Sequence, residues 1–352
     1  MTEQKARASG LFAYLEEGRD WLAKGKPQRA GAAFREVLKA DHRNAEARSG
    51  LETAIVRLRE AGREAEKNRD AGAALRAYQA VVKVHPDPDP ADLHRLGTLL
   101  ANSLGKRAAS VACFRRAAKI ERLVPLREKR GADPRTLVVG FTGFHGRLGT
   151  TRMQFLQLAG LEQYSRLVLW DSSFRFFVGG LPGAAKGCSA LVKLLRARIA
   201  ELAPERVIVV GCSGNGFAAL LYGHAIGADV VHAFSPAVSL DLATVQLIQP
   251  GAAAHYRDML AEITSSGVDR ALLHLPDVLA KDNGKTRYFI HYGKAAKDDA
   301  ERARFISGRP GVHLIEHETR EHPTAELLAG ANLLSAVFAT DDPAKMPRLR
   351  AG

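Results

Sequence analysis

From residue 136 onward, short runs of β-branched and apolar residues alternate with helical segments, and this alternation limits the fold more than any other feature. Continuous apolar strands separated by helices indicate a mostly parallel sheet with helices on both faces. In such sheets functional groups follow the carboxyl ends of the strands. The predicted strands are TLVVGF (136–141), RLVLWD (166–171), RVIVVG (206–211), DVVHAF (229–234), RYFIHY (287–292) and VHLIEH (312–317). The predicted helices lie near residues 151–160, 188–203, 215–226, 299–307 and 323–338.

The first third of the chain contains an internal repeat of small and aromatic residues. Glycine and alanine let two helices approach closely and an aromatic ring fills the gap between them. The segment resembles a tetratricopeptide array, which implies a protein partner along its concave face; packing against the second domain is the alternative. The matching positions are Gly18, Ala30 and Phe34, then Gly62, Ala74 and Tyr78, then Gly97, Ala109 or Ser110, and Phe114.

The composition of the segment after the repeats marks a domain boundary. VPLREKRGADPRT combines two prolines, a glycine and alternating charge, which is typical of a linker. We therefore predict an all-α repeat domain at 1–123, a linker at 124–135, an α/β domain at 136–340 and a flexible tail at 341–352.

The net charge of +13 is concentrated in the first third. Residues 1–130 contain 27 Lys and Arg against 17 Asp and Glu, an excess of ten positive charges. This basic surface predicts an acidic protein partner or an anionic membrane surface, or else serves only to keep the helices in solution. Nucleic acid is not expected, because no nucleic-acid-binding motif accompanies the charge.

The three cysteines are far apart, so neither a disulfide framework nor a zinc site is predicted. We expect no metal and no organic cofactor. The sequence has no apolar run of the length that crosses a bilayer and no apolar leader, so a cytoplasmic location is expected.

The turn GCSGNG joins the third predicted strand to an alanine-rich helix. It could hold a phosphate, but its glycines have the wrong order for a dinucleotide loop, and the next strand ends in FSP without an acidic residue. The other Gly-rich loop, GFTGFHGRLGTT, lacks the GK[ST] ending of a phosphate loop. Nucleotide binding is therefore the weaker interpretation.

A serine on a sharp strand-to-helix turn is typical of a hydrolase nucleophile. Gly211 lies two residues before Ser213, as the GxSxG pattern requires, but Asn215 stands where the second glycine belongs and is expected to crowd the turn. Ser213 could instead be a simple helix N-cap. Cys212 would be a nucleophile only in a shifted frame, and we interpret it as a buried thiol.

The residues that would activate Ser213 follow later strands in the order acid, then histidine. Asp298 and Asp299 follow the strand RYFIHY, and the sequence does not choose between them. His322 follows the last strand and is the predicted base, with His317 as the competing one.

Four further residues are predicted to line the site. The amide of Gly214 and one from the Thr142–Gly143 loop would bind an oxyanion. Asp171 ends the second strand and is either a polar wall of the cleft, bonded to Arg175, or a turn-capping residue. We expect Phe174, Phe176 and Phe177 to pack beneath a loop.

The α/β domain resembles the α/β-hydrolase superfamily, and more narrowly bacterial hydrolase-like proteins associated with surface-polysaccharide loci. The similarity rests on LVLWDSSFRFFVGG, VVGCSGNGFAALLYG and HYGKAAKDDAERA followed by EHPTAELL, and covers most of residues 136–338. It implies a serine hydrolase or acyltransferase of the esterase type that acts on small-molecule or glycan esters. The alternative is a non-catalytic scaffold in which a hydrolase-like domain and the repeats bind other proteins.

Overall fold

The computed structural model describes residues 2–251, 254–281 and 284–350. The chain divides into two compact units, and the boundary along the sequence falls between Glu121 and Arg122. The first unit contains helices only, and the second contains all of the described strands.

Six helices make up the first unit, and helices that are neighbours in the chain pack on each other. They are α1 (Thr2–Ala23), α2 (Pro27–Ala40), α3 (Ala45–Lys67), α4 (Ala71–Val84), α5 (Pro90–Leu104) and α6 (Arg107–Ile120). Side-chain oxygens of Asn44, Asp70 and Asp89 cap α3, α4 and α5, so sequence-local signals set where these helices begin.

The same contact between a glycine and an aromatic ring recurs in each pair of helices. A methyl group added to the glycine would overlap the ring, so only glycine allows the two helices to pack this closely. The added carbon would lie 2.5 Å from Phe34 at Gly18, 2.8 Å from Tyr78 at Gly62 and 2.6 Å from Phe114 at Gly97. These are the pairs of residues on which the predicted repeat depends.

The second unit is built on a seven-stranded sheet with the strand order β1-β3-β2-β6-β7-β8-β9. Its strands are β1 (Leu126–Lys129), β2 (Asp133–Thr142), β3 (Tyr164–Trp170), β6 (Arg206–Cys212), β7 (Val230–Phe234), β8 (Arg287–Gly293) and β9 (Val312–His317), and a separate hairpin contains β4 (Gly180–Leu181) and β5 (Ala185–Lys186). Within the seven-stranded sheet, β3, β2, β6, β7, β8 and β9 pair in parallel with their neighbours, and β1 pairs antiparallel with β3. All six predicted strands are present.

Helices cover both faces of the sheet. Along β2, Leu137 and Val139 point into one apolar core and Val138 into the other, as alternation along a strand requires. The helices are α7 (Arg152–Leu158), α8 (Cys188–Leu202), α9 (Gly214–Ile226), α10 (Leu242–Ile248), α11 (Ala254–Ser265), α12 (Leu275–Leu279), α13 (Lys297–Ile306), α14 (Thr324–Gly330) and α15 (Leu334–Phe338), with a 3-10 helix at Arg270–Leu273. The predicted fold class, a mostly parallel sheet between helices, is confirmed.

The strand order places a switch point between β2 and β6. The chain moves from β2 to β3 on one side and then returns to β6 on the other side of β2. The loops after β2 and β6 therefore diverge and leave a crevice at the carboxyl edge, where ligands bind in open α/β sheets. Ser213 directly follows β6.

Two segments differ from the sequence-based expectation. The predicted linker contains β1, whose charged residues suit an exposed edge strand, where charge blocks further pairing. Residues 341–350 are not a loose tail: Met346 is buried, the Leu349 amide donates to His317 Nδ1, and Asp341 pairs with Arg206. Residues 351 and 352 lie outside the described part of the chain.

Candidate active site

Ser213 occupies the single residue between β6 and α9 and has a strained backbone. Its φ of 52° and ψ of −131° lie in a region that residues with a side chain seldom adopt. Although Ser213 stands at the N-cap position, its side chain makes no capping hydrogen bond. The hydroxyl is thus not used to begin the helix and stays available at the turn.

Close packing of backbone around the turn explains its glycines. A carbon added at Gly211 would lie 2.3 Å from the carbonyl oxygen of Asn215, and one added at Gly216 would lie 2.7 Å from Pro236 Cβ. The Ser213 amide donates to the Phe234 carbonyl at 2.8 Å, which ties the turn to β7. Gly216 therefore allows the close approach to the segment after β7 that the usual second glycine would allow.

Asn215 does not crowd the turn, contrary to the expectation from the sequence. It is buried, and its Nδ2 would lie 3.7 Å from a carbon added at Gly143, an ordinary contact distance. Asn215 therefore lies beside the loop after β2 without pressing on Gly143.

We predict that Asn215→Gly leaves ester hydrolysis within about threefold of the parent rate, because no atom of the site needs the change. The free energy of unfolding should fall by about 0.5 kcal/mol, since glycine is less favourable than asparagine within a helix. Kinetic assays and urea unfolding test both effects. A rate that rises tenfold or more would mean that Asn215 distorts the turn after all.

His322 and Asp299 complete a chain of three side chains with Ser213. His322 Nε2 lies 2.8 Å from Ser213 Oγ, and its Nδ1 lies 2.9 and 3.1 Å from the two carboxylate oxygens of Asp299. The Asp299 side chain is 2% exposed and that of His322 is 44% exposed. A buried carboxylate thus orients an imidazole whose other nitrogen faces an accessible hydroxyl.

The structure distinguishes the two candidate acids. Asp299 is buried in the first turn of α13 and faces His322, whereas Asp298 is exposed on the same turn. Burial by itself raises the pKa of Asp299, but the hydrogen bond from His322 and the charges of His322 and Arg302 outweigh it and leave the pKa below its usual value. Asp299 is therefore a carboxylate at neutral pH.

His317 is not near Ser213 but belongs to a buried ladder of imidazoles on adjacent strands. His232 Nδ1 lies 3.1 Å from His291 Nε2, and His291 Nδ1 lies 3.3 Å from His317 Nε2. Because the Leu349 amide donates to His317 Nδ1 at 3.2 Å, each ring in turn must carry its hydrogen on Nε2. The hypothesis that His317 is the base is wrong, since its nitrogens already have partners.

Cys212 also fails as the nucleophile. Burial raises the pKa of its thiol far above the usual value, so the thiolate is absent at neutral pH. By its surface Cys212 is only partly buried, and it packs against the apolar core on one face of the sheet.

The loop after β2 differs in detail from the predicted oxyanion loop. The Gly143 amide donates to the Arg147 carbonyl at 2.8 Å, and the Thr142 hydroxyl donates to the Leu169 carbonyl at 2.7 Å. Both groups hold the loop together, so the Gly143 amide is already engaged, and an oxyanion donor from elsewhere in the Thr142–Gly143 loop stays a prediction. Gly214 is the first residue of α9, where backbone amides have no partner within the helix.

Asp171 organises a loop and is not a wall of the cleft. It is 3% exposed and accepts hydrogen bonds from the amides of Ser173 at 2.8 Å, Arg175 at 2.9 Å and Phe177 at 3.0 Å. The Arg175 guanidinium bonds to Glu262 instead. Of the two interpretations of Asp171, the structure supports the turn-capping one.

The loop that Asp171 caps places aromatic rings beside the serine turn, which the sequence did not reveal. A carbon added at Gly214 would lie 2.0 Å from Phe176 Cε1, so this ring rests on the backbone next to Ser213. Phe144 stacks on Phe176 with 5.7 Å between ring centroids and meets Phe174 edge-on at 5.0 Å. Phe174 and Phe176 both have a positive φ, at 57° and 54°. The aromatic residues of the SSFRFF run are the sequence feature from which these rings could have been predicted.

Two kinds of site are absent from the described residues. They contain no group of three or more His, Cys, Asp or Glu side chains that could hold a metal ion. Within residues 2–251, 254–281 and 284–350, every helix is too short or too polar to cross a bilayer.

The parallel sheet, the serine turn after β6, and the acid and histidine that follow β8 and β9 define the second unit as an α/β-hydrolase fold. No protein-family model matches the chain. No curated protein matches it either.

Several solved structures are similar to this chain at low identity. A protein of unknown function from Staphylococcus aureus subsp. aureus Mu50 is 12% identical, with 59% of this chain and 93% of that chain covered and a TM-score of 0.39. A hydrolase from Oleispira antarctica is 12% identical over 58% of this chain and 90% of that chain, with a TM-score of 0.34. An α/β hydrolase enzyme from the sediment metagenome of the Mar Chica lagoon, Morocco, is 13% identical over 59% and 91%, with a TM-score of 0.38.

Proposed function

We propose that the chain is a serine hydrolase or acyltransferase that cleaves esters through Ser213. The observation that carries the proposal is the 2.8 Å separation of Ser213 Oγ from His322 Nε2, with Asp299 held on the opposite nitrogen of the same ring. A serine hydroxyl alone is a weak nucleophile, and this arrangement is the one that activates it.

Each side chain has a defined step. Ser213 Oγ attacks the ester carbonyl while His322 Nε2 takes its proton, and Asp299 holds the imidazole and stabilises the imidazolium. The Gly214 amide, at the positive end of α9, faces the developing oxyanion. His322 then returns the proton to the leaving alcohol, and water or a second alcohol attacks the acyl-enzyme in the reverse sequence.

The aromatic rings beside Gly214 suit a small acyl group. Phe176 lies against the turn and Phe144 packs on it, so an apolar surface borders the nucleophile. The resemblance to proteins of surface-polysaccharide loci extends the proposed substrates to acylated glycans. A p-nitrophenyl acetate assay of the full chain tests the proposal, because hydrolysis no faster than buffer would contradict it.

The scaffold alternative loses its main argument. It depended on Asn215 crowding the serine turn, and Asn215 is accommodated opposite Gly143. The basic first unit remains compatible with either function.

We further propose that the first unit is a tetratricopeptide-like array that binds an acidic protein or an anionic membrane surface. The repeated glycine–aromatic packing supports the repeat, and the excess of positive charge supports an acidic partner. Negative charge is the only property of the partner that is assigned.

We expect the full chain to bind vesicles that contain phosphatidylserine, and to bind them less as salt is added. Exposed charges are screened beyond about 10 Å at 0.1 M ionic strength, so added salt should release the protein. Co-sedimentation with anionic and neutral vesicles measures the effect. If the anionic vesicles retain no more protein than the neutral ones, a membrane surface is ruled out as the partner. Salt-sensitive capture of acidic proteins then tests whether the partner is an acidic protein.

A further inference from the structure

Arg302 contacts the carboxylate that orients the proposed catalytic base. It lies one turn after Asp299 on α13, and its Nη2 donates to Asp299 Oδ1, the oxygen that also lies 2.9 Å from His322 Nδ1. The side chains of Arg302 and Asp299 are 13% and 2% exposed. The carboxylate is therefore shared between an imidazole and a guanidinium.

A second contact, with Gln249, restrains the Arg302 guanidinium. Its Nη1 lies 3.5 Å from Oε1 of Gln249, a buried residue that ends α10. Ser235 and Thr324 lie close by, with their hydroxyl oxygens 3.1 Å apart, and Ser235 also bonds to Asp299. These partners come from separate elements and fix the carboxylate in one orientation.

The shared carboxylate has an electrostatic consequence. A guanidinium keeps its charge at every pH of interest and is part of the field that His322 experiences. When His322 accepts a proton, its imidazolium must share Asp299 with a cation that is already there. A nearby like charge disfavours the protonated ring, so removal of the guanidinium should make protonation of His322 easier.

We propose that Arg302 is a positioning residue that fixes Asp299 and extends the activity of the His322 base toward acidic pH. This inference rests on the proposed hydrolase function. Arg302 acts through its bond to Asp299 and through its charge.

Other titratable groups lie on α13 and on the elements around it. On β8, Tyr292 donates to Glu316, and burial lowers the pKa of His291 so that it stays neutral. Asp277 on α12 pairs with His274 at 3.0 Å. Tyr256 of α11 interacts electrostatically with Arg302. The remaining groups are Arg287 and Tyr288 of β8, and Glu301 and the exposed Asp298 of α13 itself.

The test compares Arg302→Gln and Arg302→Met, which remove the charge, with Arg302→Lys, which keeps it. Arg304→Gln is the matched control, because Arg304 is an exposed residue of the same helix that bonds only to a backbone carbonyl. The pH dependence of kcat/KM for p-nitrophenyl acetate is measured for the full chain. The titration midpoint of the His322 ring protons is followed by NMR, assigned by difference from His322→Ala.

We expect both neutral variants to move the acidic limb of the pH–rate profile and the His322 titration midpoint upward by about one pH unit. At a fixed pH on that limb the rate should fall about tenfold. Arg302→Lys should stay close to the parent, and Arg304→Gln should match it. The two neutral replacements differ in polarity, so if one does not fold, the other gives the result.

Midpoints that move no further in the neutral variants than in Arg304→Gln would overturn the proposal. The NMR titration does not require turnover, so it decides the role of Arg302 even if the ester is not cleaved. If the parent protein shows no hydrolysis but the neutral Arg302 variants still shift the His322 midpoint as expected, the proposed function is refuted and this inference stands.

Discussion

Replacing Ser213 by alanine should reduce ester hydrolysis by about 10³- to 10⁶-fold without unfolding the protein. The hydroxyl caps no helix, and alanine can adopt the same strained backbone angles as serine, so little stability depends on it. Hydrolysis of p-nitrophenyl acetate gives the rate and circular dichroism gives the fold. Cys212→Ala is the matched control: the adjacent thiol is protonated, so its loss should leave the rate unchanged.

The two neighbouring aspartates sharpen the same test. Asp299→Asn should lower the rate by about 10²- to 10⁴-fold, because the amide favours the wrong imidazole tautomer. Asp298→Asn should have no effect, since that side chain is exposed and away from His322. Combining Ser213→Ala with His322→Ala should lower the rate scarcely further than either change alone. Equal losses in the two aspartate variants would contradict the assigned geometry.

The buried histidine ladder should make the second unit lose stability steeply as the pH falls below about 6.5. Burial lowers the pKa of His232 to about 3 and of His317 to about 4, and the pKa of His291 falls well below its usual value. An unfolded histidine takes up its proton near pH 6.5, whereas the folded ring does not until the pH reaches its lowered pKa. The unfolded state therefore binds more protons across this window. The free energy of unfolding accordingly decreases as the pH is lowered.

Between pH 7 and pH 5 the expected loss is about 2 kcal/mol for each buried histidine. Urea unfolding at the two pH values measures it. His232→Phe removes one titrating group among aromatic neighbours and should reduce the loss by about 2 kcal/mol, whereas His42→Gln, at an exposed position, should not change it. A loss that is the same in His232→Phe and the parent would show that the ladder accepts protons while folded.

The sequence predicted much of the fold because the strands carry their own signal. Runs such as RVIVVG and RYFIHY are mostly apolar after their first arginine, since both faces of these strands are buried. The edge strand β1 was missed because its residues LREK are charged and its neighbours suggest a linker. Helices α10 to α12 were missed as well, although only α10 and α12, with seven and five residues, are short.

The site shows a similar division. The order serine, acid, histidine follows from the chain, but the choice of Asp299 over Asp298 depends on where α13 begins, because one residue of helix rotates a side chain by about 100°. The surroundings of Asn215 include Gly143, a residue 72 positions away in the sequence. The bond between the Gly143 amide and Arg147 is likewise a property of the folded loop.

The central claim is that Ser213 is an activated nucleophile, and labelling with a fluorophosphonate tests it most directly. The reagent reacts with serines that a neighbouring base activates, so the native protein should carry one label, which peptide mass spectrometry places on Ser213. Heat-denatured protein and the His322→Ala variant should remain unlabelled, because neither presents the base to the hydroxyl. A native protein that takes up no label, or takes it up at another serine, would contradict the account.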